Sequence, residues 1–147
     1  MNDVAAGHLP TRDDLERLQA AMLQLPQVEC TTRHHFAEGL YCRQMDWPQG
    51  VLIVGKAHRK EHLFVLLTGR AAISTDTGVQ EVSAPFVIVA PPHIKRVGVA
   101  LENCTVLNIY ATPNRDLAEL EIELVHEEAE SPYDFNNQLK PDYLEKL

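Results

Sequence analysis

Two histidines four positions apart, His58 and His62, lie beside Lys56 at the head of an apolar run in the stretch VGKAHRKEHLFVLLTGRAAI, residues 54–73. Imidazole changes charge near neutral pH, and its neutral form is both a metal ligand and an N–H donor. The pair therefore admits three chemistries: a divalent metal, proton transfer on a bound substrate, or hydrogen bonding to an anion. Arg43 and Arg96 add planar guanidinium forks of the kind that grip carboxylate or phosphate. Tyr41 shares strand parity with Arg43, so the two face one side, and Tyr41 is a candidate proton donor. Nucleophilic catalysis has little to work with. Cys42 and Cys104 sit in apolar β segments and read as small buried hydrophobes. Ser74 and Ser83 lack the glycine-flanked elbow of a serine hydrolase, and no glycine-rich phosphate loop is present.

The elements that must hold these side chains decide between the chemistries. With Glu61 the histidines spell H-x-x-E-H, which on a helix would put both rings on one face, as in the inverted zinc peptidases. Gly69 arrives only six residues after His62, so no long helix follows and the segment reads as strand, turn and return strand. Short β segments separated by turns run from Val28 to Thr112. Gly39 to Asp46 is followed by the turn Trp47-Pro48-Gln49-Gly50, and Ala71 to Ser74 by the hairpin turn Asp76-Thr77-Gly78. That rhythm predicts a β-sandwich or barrel. His34 and His35 have opposite parity, so at most one of them points inward.

Flanking segments differ from this middle. Thr11, followed by Arg12, Asp13 and Asp14, reads as a helix cap, and Leu15, Leu18, Met22 and Leu25 recur at helical spacing until Pro26. At the other end, Leu117, Leu120 and Leu124 fit a helical stripe with Asn114 as its cap. Leu120, Ile122 and Leu124 also alternate as a strand would, and the Glu and Ala content favours helix. Tyr133, Phe135 and Tyr143 in the acidic tail imply that it docks on an apolar surface. The domain reading is an N-terminal helical extension over 1–27, a barrel over 28–112 and an acidic helical extension over 113–147.

The spacing of the middle segment resembles the first motif of the cupin superfamily, in which two histidines and a glutamate precede a closing glycine. Placed by its end, Gly69 is that glycine, His62 stands at the glutamate position, His58 at the second histidine and Lys56 at the first. Pro91-Pro92-His93-Ile94-Lys95-Arg96 is similar to the second motif, with His93 at its glycine and Arg96 at its ligand histidine. The resemblance implies a double-stranded β-helix or jelly-roll barrel, and a homodimer by family habit. Cupin metal sites take neutral or anionic donors, whereas Lys56 and Arg96 are cations. A metal such as iron, manganese or zinc on His58 and His62 would need a third ligand such as Glu61, His93, His35 or His34. An anion makes the set coherent: Lys56, His58, His62 and Arg96, with Arg43 and Tyr41 at the mouth, would bind a phosphorylated or carboxylated metabolite or a nucleotide; the alternative is that Arg96 and Lys56 pair with Glu61 or another core carboxylate. If the protein is an enzyme, His58, His62 and Tyr41 are its acid–base candidates, and the resemblance implies isomerase, epimerase or dioxygenase chemistry. HHFAEGLYCRQMDWPQG, GKAHRKEH and APPHIKRVGVA also look like small cupin-like proteins of tailed-phage genomes, which implies an accessory product whose acidic surface engages a host protein.

Bulk properties narrow the classes. With 147 residues, 45% hydrophobic and 23% charged, the chain fits one globular domain. A formal charge of -8 argues against a nucleic-acid surface, although Lys56, Arg59, Lys60, Arg70, Lys95 and Arg96 cluster in the middle. The three cysteines have no framework or zinc-ribbon spacing, which fits a reducing compartment. The start MNDVAAGHLPTRDD has no basic-then-apolar pattern, and no run approaches a membrane span. The expectation is a cytoplasmic protein without membrane or nucleic-acid partners.

Overall fold

The structure is a computed structural model and describes residues 10–126 and 132–145, so expectations falling on 1–9, 127–131 and 146–147 lie outside it. Apolar residues alternating with polar ones over short, turn-bounded segments produce nine strands. These are β1 Thr32–Ala37, β2 Leu40–Trp47, β3 Leu52–Val54, β4 His62–Thr68, β5 Arg70–Thr75, β6 Gly78–Ser83, β7 Phe86–Ala90, β8 Val97–Ala100 and β9 Cys104–Ala111. They form two antiparallel sheets, one ordered β1-β2-β9-β4-β7 and the other β3-β8-β5-β6. The mainly β reading holds.

The inner faces of the two sheets meet over Met45, Trp47, Leu66, Ile73, Val82 and Val106. Two glycines shape this interior. Gly69 turns β4 into β5 at φ +85, and a Cβ there would stand 2.4 Å from the Asn103 carbonyl oxygen. Gly98 lets the Trp47 ring approach, since a Cβ there would meet its Cη2 at 2.8 Å. The expected hairpin is present, with Thr75 paired to Gly78 around Asp76 and Thr77.

Helix α1, Arg12–Met22, opens with the expected cap: Thr11 and Asp14 exchange side-chain and backbone bonds in a capping box. Helix α2, Leu117–Leu124, settles the ambiguity of the second flank. Its period buries Leu120 and Leu124 on one side and leaves Ile122 exposed, whereas a strand would have aligned all three. The cap is Asp116 rather than Asn114. Asn114 instead accepts from the Asp116 N–H, shaping the approach. A short helix α3, Pro141–Leu144, follows.

The tail aromatics dock on this chain itself. Phe135 is buried with Tyr41, Tyr110, Leu120, Leu124 and Val125 in a second core. Tyr133 donates its hydroxyl to Gln27 Oε1 at 2.7 Å, and Tyr143 donates to the Leu23 carbonyl at 3.3 Å. Both flanks of the chain therefore meet at one end of the barrel.

Candidate functional site

His62 begins β4, inside the sheet, and is buried. His58 lies on the preceding loop, which is pinned at both sides. The Arg59 N–H donates to the Leu124 carbonyl and the His93 N–H to the His58 carbonyl, each at 2.7 Å. The two imidazole rings are 4.4 Å apart between centroids. His62 Nδ1–H donates to the Lys60 carbonyl at 3.2 Å, while His58 Nδ1 pairs with the Tyr110 hydroxyl at 2.8 Å. The Tyr110 ring stacks on His62 at 4.7 Å. Nδ1 is thus engaged on each ring, and His62 makes a further side-chain hydrogen bond with Asn108.

Burial removes water from both rings and disfavours their charged forms. It pulls His58 down to about 3, with further lowering from His62, Arg43 and Arg96. Burial lowers His62 as well, opposed by the Lys60 carbonyl and the neighbouring Asn108 amide. Both imidazoles are therefore neutral at pH 7. Tyr110 is held protonated by its burial.

Cations supply the positive charge instead. Lys56 Nζ contacts Glu121 Oε1 of α2 and the Tyr133 carbonyl, both at 3.3 Å. Arg96 donates through Nη1 to the Ser74 carbonyl at 2.7 Å, and its Nη2 is buried without a hydrogen-bond partner, 3.7 Å from Asp76. Arg43 donates through Nε to the Phe135 carbonyl at 3.1 Å, with its guanidinium 5.1 Å from the Phe135 ring centroid. Desolvation pulls its acidity toward the neutral form, yet a guanidinium keeps its charge in proteins. No carboxylate among the described residues makes an ion pair with Arg43.

These groups border a single cavity of about 480 Å³ between the two sheets. Lys56, His58, His62 and Arg96, separated in sequence, all line it, as does Arg43. Tyr41 does not: it is fully buried beneath the second core, its hydroxyl 2.6 Å from His34 Nδ1. The tyrosine hydroxyl that reaches His58 is that of Tyr110, which like Tyr41 lies outside the cavity lining.

The residues considered as a third metal ligand lie elsewhere. Glu61 is exposed. His35 is on the outer face of β1, bonded to Gln44 at 2.9 Å, because parity turns His34 inward instead. His93 is exposed and pairs with His126 at 2.7 Å. Among the described residues no three His, Cys, Asp or Glu side chains converge on a metal position. The donor set at His58 and His62 therefore does not fit a resident divalent ion, which takes three or more such ligands.

Sequence reasoning passed over Asn108 and Tyr110 of β9. Val106, Asn108 and Tyr110 share inward parity there, and an asparagine among inward positions was the available signal. It also missed the contribution of Pro132 to Phe135 and Asn137 to the cavity wall.

No family model matches this sequence, and no curated protein matches it either. Solved structures do. KdgF from Halomonas sp. superposes at TM-score 0.51 with 19% identity, over 63% of this chain and 88% of that one. A cupin superfamily protein from Desulfitobacterium hafniense gives TM-score 0.50 with 15% identity, over 71% of this chain and 94% of that one. Salicylate 1,2-dioxygenase from Pseudaminobacter salicylatoxidans gives TM-score 0.54 with 12% identity, over 74% of this chain and 34% of that one. At such identities the likeness shows the fold alone: this is a cupin-fold barrel. His93 takes a left-handed backbone at φ +69. Lys56 and Arg96 line the cavity of that barrel together with His58 and His62.

Proposed function

We propose that the barrel binds a small anionic ligand between its sheets. One observation carries this reading: Arg43 presents a desolvated guanidinium to the cavity with no carboxylate partner among the described residues. A buried, unpaired charge is costly, and an incoming anion supplies the missing partner. Lys56 and Arg96 add to the field, and neutral His58 and His62 line the same space. Asn108 supplies an amide beside them.

The fold also hosts enzymes, among them a dioxygenase. A metal-dependent reaction on His58 and His62 lacks support in the donor set, so no catalytic step is assigned to this chain. The phage-type resemblance gives a setting for an accessory binder and bears on no residue of the pocket.

A thermal-shift and calorimetric panel of sugar phosphates, nucleotides, mono- and dicarboxylates tests the reading, with Arg43→Met beside the wild type. Loss of a charge-assisted bond is expected to weaken the best ligand by about 10- to 100-fold. The unliganded variant is expected to melt at or above the wild type, because a desolvated cation without an ion-pair partner among the described residues has been replaced by an apolar side chain. A panel in which no anion binds, or in which Arg43→Met binds as tightly as the wild type, overturns the proposal.

A further inference from the structure

Beyond the polar cluster the cavity wall is mostly apolar: Trp47, Ile53, Phe64, Ile73, Ile88 and Val106 line it from both sheets, with Gln19, Gln27 and Asn137 as further polar positions. Arg43, His58, His62 and Asn108 gather at one end of the strands, and the charges there are partly spoken for. Glu121 engages Lys56 at 3.3 Å, and Asp76 lies 3.7 Å from Arg96. Asp134, on the tail segment at the cavity wall, has its carboxylate turned to the Asn136 and Gln138 N–H groups. Among the described residues Arg43 remains the cavity cation without an ion-paired carboxylate, which matches one negative charge rather than two.

The ligand must then be polar and singly charged at one end and apolar over the rest. We infer that the cavity takes a monocarboxylate with an apolar body, aromatic or aliphatic, its carboxylate on Arg43 and its body against Trp47 and Phe64. The inference rests on the anion-binding reading and sharpens it. A sugar phosphate would bring hydroxyls to a mostly apolar wall whose Gln27 and Asn137 amides already bond within the chain, so most would leave water without a replacement bond. It would also bring a second negative charge that the cluster does not balance. A carboxylate accepts two donors from a guanidinium fork, and an apolar body gains by leaving water.

Trp47 supplies the readout. It is the only tryptophan of the chain, its indole N–H is held by the Val51 carbonyl at 2.8 Å, and its ring borders the cavity. The full chain is titrated with octanoate, 4-phenylbutyrate, 1-octanol and glucose 6-phosphate, following Trp47 emission and binding heat, for wild type and Arg43→Met. Octanoate or phenylbutyrate is expected to bind at least tenfold more tightly than both octanol and glucose 6-phosphate, with a shift in Trp47 emission. Arg43→Met is expected to erase the gap between octanoate and octanol while leaving octanol binding in place. Tighter binding of glucose 6-phosphate than of either carboxylate overturns this inference and leaves the anion site standing. Octanol binding as tightly as octanoate to the wild type overturns both. Failure of all four to bind overturns the inference, and failure of the wider anion panel as well removes the reading beneath it.

Discussion

His58 combines a catalytic residue type with a charge state that excludes it from binding anions as an imidazolium. Its value of about 3 against an ordinary 6.5 means that the unfolded chain binds a proton over that window and the folded one does not. Stability from this group is therefore present above pH 6.5 and is lost as pH falls toward 3. NMR of the imidazole carbons is expected to show His58 flat from pH 8 to 4, while the unfolded chain titrates near the ordinary value. A His58 signal that titrates near 6.5 in the folded protein would contradict the burial argument. The residues reachable from sequence at this scale were those fixed by spacing to a turn glycine. His58 and His62 count back from Gly69, and Arg96 counts forward from Pro91. Asn108 and Tyr110 had no such anchor. Their place depends on which face of β9 turns inward, and that is set by pairing with β2 and β4, not by neighbours in sequence.

Turns and caps are the elements that aim these side chains, and they differ in what they tolerate. At Gly69 the backbone is left-handed and any Cβ meets the Asn103 carbonyl and Cys104 Sγ, so Gly69→Ala combines strain with a clash. Its expected cost is about 1–3 kcal/mol, read from urea unfolding. Thr11→Ala removes the capping-box bond at α1, where about 1 kcal/mol is expected, again from urea unfolding. The two variants separate in ligand binding. Gly69 links β4, which carries His62, to β5 in the other sheet, so Gly69→Ala should weaken the pocket, whereas Thr11→Ala should leave it intact. The cap was legible because its chemistry is local: a hydroxyl and a carboxylate three residues apart. The cap of α2 was misassigned by two residues for a related reason, since Asn114 and Asp116 are both capping types and only the chain path selects between them.

At the scale of the molecule, the barrel and the tail form one structure. Phe135 lies between Tyr41 and Arg43, its ring beneath the guanidinium and its carbonyl accepting the Nε–H. Phe135→Ala is expected to lose about 3–5 kcal/mol of stability by calorimetry. It should also weaken anion binding, because the guanidinium keeps its carbonyl partner but loses the ring that holds its plane. Unchanged melting would show that the tail rests on the barrel without contributing to it. The β architecture was readable from turn rhythm, but this contact spans more than ninety residues of chain and no local pattern encodes it. The sheet order has a further consequence, for the ribosome rather than for the ligand. β9 is the last strand to be made, yet it sits between β2 and β4 in the five-stranded sheet. Until Cys104–Ala111 emerges, β2 and β4 each present a bare edge to other nascent chains. A chain halted before residue 104 therefore lacks the strand that joins the two halves of the sheet, and with it both Asn108 and Tyr110. Synthesis of this barrel is a race between finishing one strand and sticking to a neighbour.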